Sequence, residues 1–329
     1  MPNGIAEPIF PVLSARNPQI TMPKRTASPC CSGRPQTWPK VRRPSRPWLS
    51  CLGMTFSFLT VVFAQTAQTI TITAVTNSAD FQPGFPQKGS LASVFTTGLQ
   101  GAPGIYNAHP EYYPLENVLN GVEVWINFLR APILSLAFLN GYQQINVQVP
   151  WEGEREPLYV EVFQNGVRAH AESGQAAEWS VFFEDANGYV VAQHVSDYSA
   201  VTPQNPAHAG EYIAAYGINL APVFPTQVTG VPAPAQPLAI SFPPLSMSEG
   251  LCGMHDDVGV GPATAGTSYV GLTPGTIGVY QINFQIPKDT GVGDVPLVFI
   301  RILNLKNLHA ECPGGDTPKS SRPVKLPIQ

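Results

Sequence analysis

Two short stretches decide how the chain is read. Residues 142–150 run YQQINVQVP, and residues 280–287 run YQINFQIP. Aligned on their shared core, Gln144-Ile145-Asn146-Val147-Gln148-Val149-Pro150 matches Gln281-Ile282-Asn283-Phe284-Gln285-Ile286-Pro287, 137 residues later. Each stretch alternates apolar and polar residues and stops at a proline, the pattern of a half-buried strand. Ile145, Val147 and Val149 then share one face, and Gln144, Asn146 and Gln148 share the other. After each proline a polar turn leads into a second apolar run, PLYVEVF at 157–163 and PLVFIRI at 296–302. Upstream, SLASVFTTGL at 90–99 parallels EYIAAYGINL at 211–220, each after a Pro/Gly turn. A repeat this long is a duplicated domain with its own core, not a solenoid turn.

Composition agrees with a β reading. The 329 residues include 35 Pro and 29 Gly, and only 12% are charged, about half of ordinary usage. Apolar residues reach 43%, which excludes disorder for most of the chain. There is no strict glycine period and no long helical pattern, so collagen and coiled coils are excluded too. Further strands are predicted at 70–75, 122–127, 180–183, 189–194, 238–242 and 278–286, with a hairpin turn at Asp185-Ala186-Asn187-Gly188. Strands about ten residues apart with turns between them favour sandwiches. The expected fold is all-β: two tandem immunoglobulin-like β-sandwich modules, 65–200 and 201–310, after a cleaved signal peptide. Residues 311–329, without periodicity, are expected to be a flexible tail.

The net charge of −4 hides two populations. Residues 1–64 carry eight basic side chains and one acidic, whereas residues 65–329 carry ten basic and twenty-one acidic. The basic run at 40–46 precedes an uncharged stretch at 49–64, LSCLGMTFSFLTVVFA, ending Val62-Phe63-Ala64. That stretch is shorter than the roughly 20 residues a membrane-spanning helix needs. A basic run, an apolar run and a small-x-small end read as a secretory signal cut after Ala64, the alternative being an uncleaved anchor. Met22 is a second possible start, with 1–21 an over-extended leader. The expected location is secreted or at the cell surface, with membrane contact only through the signal segment.

Removal of the leader leaves two cysteines, Cys252 and Cys312. An even count in an exported protein points to a disulfide, worth about 4 kcal/mol for a loop of this length, against two separate thiols.

Several short motifs then carry a resemblance. Asn77-Ser78-Ala79, Gly98-Leu99, Ala131-Pro132-Ile133-Leu134 and QINVQVPWE at 144–152 occur in order. Asn205-Pro206-Ala207-His208-Ala209-Gly210-Glu211, Tyr269-Val270-Gly271-Leu272 and YQINFQIP followed by Gly293-Asp294-Val295-Pro296 continue the series. Over residues 72–304 the chain resembles the Solibacter-type uncharacterised C-terminal domain family. The resemblance implies an exported β protein of the kind attached behind repeats or propellers, and it transfers no functional residue. The chain departs from that pattern by an apparent insertion at 246–264.

Candidate chemistry is sparse. Cys252-x-x-His255-Asp256-Asp257 is the densest set of metal-type ligands. A closed zinc site would need His309 and Cys312 as well, and calcium would draw on Glu249, Asp256 and Asp257. Neither has a signature spacing, so no metal or cofactor is expected. Glu152, Glu154 and Glu156 alternate as glycosidase carboxylates could, and equally as solvated glutamates beside a turn. Nucleophile-elbow and phosphate-loop motifs are absent, and the acidic mature chain argues against nucleic acid. Tyr106, Tyr112, Tyr113 and Trp125 cluster around a long loop and are the candidate ligand-binding aromatics. The expected function is an exported, non-catalytic structural or adhesion protein binding an extracellular protein or polysaccharide. The alternatives are a carbohydrate-binding accessory protein and, from the enzyme class, a glycoside hydrolase.

Overall fold

The computed structural model describes residues 68–109, 111–139, 142–153, 159–172, 179, 181–241, 253–304 and 318–329. The leader with its signal segment, Cys252, Cys312, Glu154 and Glu156 lie outside the described residues. Among the described residues every regular element is a strand. The first ten are β1 (Thr71–Asn77), β2 (Leu91–Thr97), β3 (Gly104–Asn107), β4 (Val118–Leu119), β5 (Val122–Ile126), β6 (Leu129–Ala131), β7 (Ile133–Leu139), β8 (Tyr142–Gln148), β9 (Tyr159–Gln164) and β10 (Val167–Glu172). They form two five-stranded antiparallel sheets, β1-β2-β8-β7-β3 and β10-β9-β5-β4, with β6 also on β5. The alternation of the sequence drives the arrangement. Val94, Ile145 and Val147 from one sheet and Val122, Val124, Val160 and Val162 from the other are fully buried in one shared cluster. Burying each such side chain contributes about 1.5–3 kcal/mol.

The remaining strands are β11 (Ala192–His194), β12 (Tyr212–Gly217), β13 (Val223–Phe224), β14 (Ile240–Ser241), β15 (Gly253–Val260), β16 (Ala263–Leu272), β17 (Tyr280–Gln285), β18 (Gly293–Asn304), β19 (Lys319–Ser320) and β20 (Val324–Ile328). They make one ten-stranded antiparallel sheet along β11-β12-β17-β16-β15-β18-β19, with β20 on β18 and the β13–β14 pair joining β16. Its core holds the buried Ile213, Ile282, Phe284, Leu297 and Phe299.

The quoted repeat occupies equivalent places in the two halves. Ala92 faces Val147 and Val94 faces Ile145, as Ile213 faces Phe284 and Ala215 faces Ile282. On the other side of the repeat, the β7–β8 ladder shifts register between Ile133 and Ser135, and the β16–β17 ladder shifts between Thr267 and Tyr269. Both bulges therefore stand opposite the same aligned pair, Val147 and Phe284. The match runs on to β1 and β11: Val75 faces Val94 as Ala192 faces Ala215. Strands β9 and β18 correspond likewise, Trp125 of β5 facing Glu161 and Asp257 of β15 facing Ile300.

This correspondence corrects three expectations. The stretch at 246–264 is not an insertion where it is described, because β15 stands against β18 as β5 stands against β9. The division at 200/201 moves upstream, since Trp179, Val181, Val190 and Ala192 lie in the second core. From residue 318 onward the expected flexible tail is not free either. Val324, Leu326 and Ile328 are buried on β20, and β19 faces β18 as β10 faces β9. Pro327, which has no N–H to donate, still accepts the Ala207 N–H at 2.9 Å through its carbonyl.

Residues 67–329 belong to one compact unit, and both hydrogen bonds and apolar packing join the two cores. The Asn219 Oδ1 accepts the Gln87 N–H at 2.8 Å, and the Asn219 N–H donates to the Ser90 Oγ at 2.9 Å. The Gly230 N–H donates to the Gln148 Oε1 at 2.7 Å. Trp151, which follows the first repeat strand, is buried in the second cluster, and its ring lies 2.1 Å from where a Cβ on Gly89 would stand. Asn77 shapes the nearby turn, its Oδ1 accepting the N–H groups of Ala79 (2.8 Å) and Asp80 (3.1 Å). Ala79 then packs with Phe183 and Ile218 from the second half.

Candidate functional site

The four aromatics singled out from the sequence do not form one surface. Tyr106 sits on β3 at the edge of the first sheet, packed on the core with its ring edge-on to Phe138 at 5.8 Å. Its hydroxyl donates to the Ala102 carbonyl at 3.0 Å. Tyr112 and Tyr113 are exposed on the loop before β4, with Tyr112 edge-on to His109 at 6.2 Å. Trp125 belongs to the other sheet. On β5, Val122, Val124 and Ile126 point into the core, which sends Glu123 and Trp125 to the outer face.

Register then brings unforeseen neighbours to Trp125. Glu161 faces it from β9, and His170 of β10 faces Glu161 in turn. Phe163, two residues from Glu161 on the same face, meets the Trp125 ring edge-on at 6.1 Å. Arg130 of β6 lies over the indole at 5.1 Å and pairs with Glu123 at 3.5 Å. Glu161, with its side chain only 10% exposed, is paired with Arg168 and with His170 (3.5 Å if the ring is protonated). At one end of the face, Tyr159 contacts Phe128 at 4.7 Å and His170 at 5.7 Å. The outcome is an outer face on which rings alternate with paired charges.

Phe128 is the least expected member. A two-residue turn, Asn127-Phe128, joins Ile126 to Leu129, and both turn residues have positive φ, 47° and 65°. Such hairpin turns favour Asn-Gly, because an L side chain at positive φ costs about 1–2 kcal/mol. Here a phenylalanine occupies the glycine position and is 71% exposed. Strain of this kind collects at functional sites. Phe128→Gly is expected to raise stability by up to about 1 kcal/mol, since the relieved strain exceeds the roughly 0.5–1 kcal/mol of added freedom in the unfolded chain. Urea denaturation checks this; a lower midpoint for the variant would make the ring a structural prop instead.

The acidic candidates have other partners. Asp256 is held at two points by Arg301, with Nε to Oδ1 at 2.8 Å and Nη2 to Oδ2 at 2.9 Å. A carboxylate so engaged is not available to a cation. Asp257, next on the strand, projects to the opposite face, so the two carboxylates do not converge. His255 lies on the same strand, and its side chain is outside the described set. Among the described residues, no three His, Cys, Asp or Glu side chains could hold a metal together. Glu152 is exposed and accepts a hydrogen bond from the Thr229 hydroxyl, which makes it a junction residue between the two halves.

Two further ionisable groups, His194 and Glu184, lie in the second half. His194 is buried, with Nδ1 3.1 Å from Glu211 and Nε2 3.3 Å from the Asn205 carbonyl, and this ties β11 to the loop before β12. Glu184 lies near Asp80 and Arg322. Burial first, then the Asp80 carboxylate, pushes the Glu184 carboxyl above its ordinary range, while Arg322 opposes the shift. A carboxyl raised on folding adds stability below its unfolded pKa and loses it as pH rises through the folded pKa. Glu184→Gln is therefore expected to melt above the parent protein at pH 7, with the gap closing as pH falls into the ordinary carboxylate range. Equal melting temperatures at pH 7 would contradict this.

Comparison of the sequence with protein-family models and with curated proteins finds no match.

Proposed function

We propose that the chain is an exported, non-catalytic adhesion or scaffold protein that binds an extracellular partner through its first half. In this reading the two halves are tandem immunoglobulin-like sandwiches. Strand order supports that assignment: β1-β2-β8-β7 with β10-β9-β5 reproduces the four-plus-three division of the constant-type fold. The equivalent strands of the second half follow in the same chain order. The secretory reading of the leader, with cleavage after Ala64, and the resemblance to the Solibacter-type family belong to the same proposal.

The observation that carries the binding role is the outer face around Trp125. The half-buried rings of Trp125, Tyr159 and Phe163, the exposed Phe128 and the exposed Arg130 and Arg168 are residue types that anchor recognition on a rigid sheet. Of the three glutamates weighed for hydrolysis Glu152 is described, and it accepts a hydrogen bond from the Thr229 hydroxyl. The test is to express the full chain in an exporting bacterial host, measure the intact mass of the exported protein with and without reductant, and titrate it onto cell-envelope material. A mass corresponding to residues 65–329, together with saturable sedimentation with envelopes, is the expected result. Retention in the cytoplasm at full length, or no saturable association, would overturn the reading.

A further inference from the structure

We propose that the outer face of the β10-β9-β5 sheet is a platform for a neutral pyranose polysaccharide, with Trp125, Phe128 and Tyr159 as stacking rings and Glu161, Arg168 and Arg130 as hydrogen-bonding groups. The inference rests on the reading of the chain as an exported binding protein and supplies its ligand class.

The duplicated ladder provides an internal comparison. The second half keeps the pairing of the first, so it shows which outward residues the architecture itself requires. Where the first half has Trp125, Glu161 and His170 in one cross-strand row, the second has Asp257, Ile300 and Ser320. Where the first has Tyr159, the second has Val298. Pairing therefore survives without the rings. Placing a phenylalanine at positive φ in the turn beside them goes further, since it costs stability at that position.

Charge complementarity selects the occupant. Among the described side chains of the face, the two carboxylates each have a cationic partner, Glu123 with Arg130 and Glu161 with Arg168. The described groups thus offer planar donors and acceptors already matched in ion pairs, an arrangement that favours neither a polyanion nor a polycation. An apolar protein patch would collect its rings in a charge-depleted centre, whereas here ion pairs lie between the rings. A pyranose has the matching pattern, with apolar C–H faces that stack on aromatic rings and hydroxyl edges that bond to guanidinium and carboxylate.

The test uses the full chain in native gels cast with neutral polysaccharides (mixed-linkage β-glucan, xyloglucan, galactomannan) or with anionic alginate. Retardation by at least one neutral polymer is expected. Trp125→Ala should weaken it about ten-fold, the scale of losing one anchoring ring. Phe128→Gly should weaken it about three-fold or more while the fold becomes no less stable, so the loss cannot come from unfolding. Lack of retardation by every neutral polymer, retardation by alginate alone, or retardation untouched by both substitutions would each overturn the inference. Envelope binding that survives both substitutions would overturn it and leave the broader adhesion reading standing. Failure of export would remove that broader reading whatever the gels show.

Discussion

Asp256→Ala is expected to cost about 3–5 kcal/mol, the usual penalty for removing one partner of a buried ion pair. Arg301 is 7% exposed, and its guanidinium lies near the rings of Trp179 and Phe299. Its Nη2 also donates to the Ser241 Oγ at 2.9 Å, but a hydroxyl does not neutralise a buried charge. The pair joins β15 to β18 across directly facing positions, so its loss acts where the second sheet is most extensively paired. Removing both charges should be gentler than removing one. Asp256→Ala with Arg301→Met is therefore expected to recover a substantial part of the loss. Urea titrations of the parent, single and double variants measure this directly. A single variant within about 1 kcal/mol of the parent would show that the pair is dispensable.

Ending the chain after Arg322 is expected to have a larger effect. The shortened protein lacks Val324, Leu326 and Ile328, all buried in the second core. At about 1.5–3 kcal/mol each, their loss approaches the whole stability of a typical domain. It also strips pairing from β18 over 293–297 and removes the Pro327 carbonyl that accepts the Ala207 N–H. The second half should lose its cooperative transition in thermal melts followed by near-ultraviolet circular dichroism. Limited proteolysis should then cut beyond residue 179 first and leave a fragment built on the first core. An unchanged melting profile would mean that β20 is an ornament on the sheet.

The β character, the duplicated strands and their inward faces were legible because they are local. Alternation in QINVQVP and QINFQIP fixes which side chains are buried, and the shared proline fixes where each strand stops. Val324, Leu326 and Ile328 also alternate, yet Pro323 and Pro327 around them and the Pro/Gly/Ser-rich stretch before them masked a strand that survives by using a proline carbonyl. The division near 200 failed for a different reason. His194 and Val190 look the same in sequence whichever core receives them, and only the pairing of β11 with β12 decides it.

The aromatic face was half legible. Trp125 stood out by type, but its neighbours come from β9 and β10, more than 30 residues away, and one residue of register decides whether Glu161 or Val162 faces outward. Tyr106 was grouped with it by nearness in the chain, although the two lie on different sheets. Phe128 gave a readable sign that went unused: an asparagine between apolar runs, followed by a residue that such a turn does not favour.

A chain that carries one ladder twice must also tell the copies apart while it folds. Strand β2 meets Gln-Ile-Asn in β8 and could meet the same letters in β17. Hydroxyls separate the two. In the first half the Ser93 Oγ donates to the Asn146 Oδ1 at 2.8 Å, and the Asn146 Nδ2 donates to the Ser135 Oγ at 2.9 Å. At the corresponding places around Asn283 stand Ala214 and Tyr269. Exchanging partners would set Ser93 against Asn283, where an amide still receives its hydroxyl, but would set Asn146 against Ala214, forfeiting about 1 kcal/mol for the lost bond and more for a polar atom left dry. The two hydroxyls of Ser93 and Ser135 thus act as an address label for Asn146, favouring its own half in a molecule where interdomain misassembly is the natural failure.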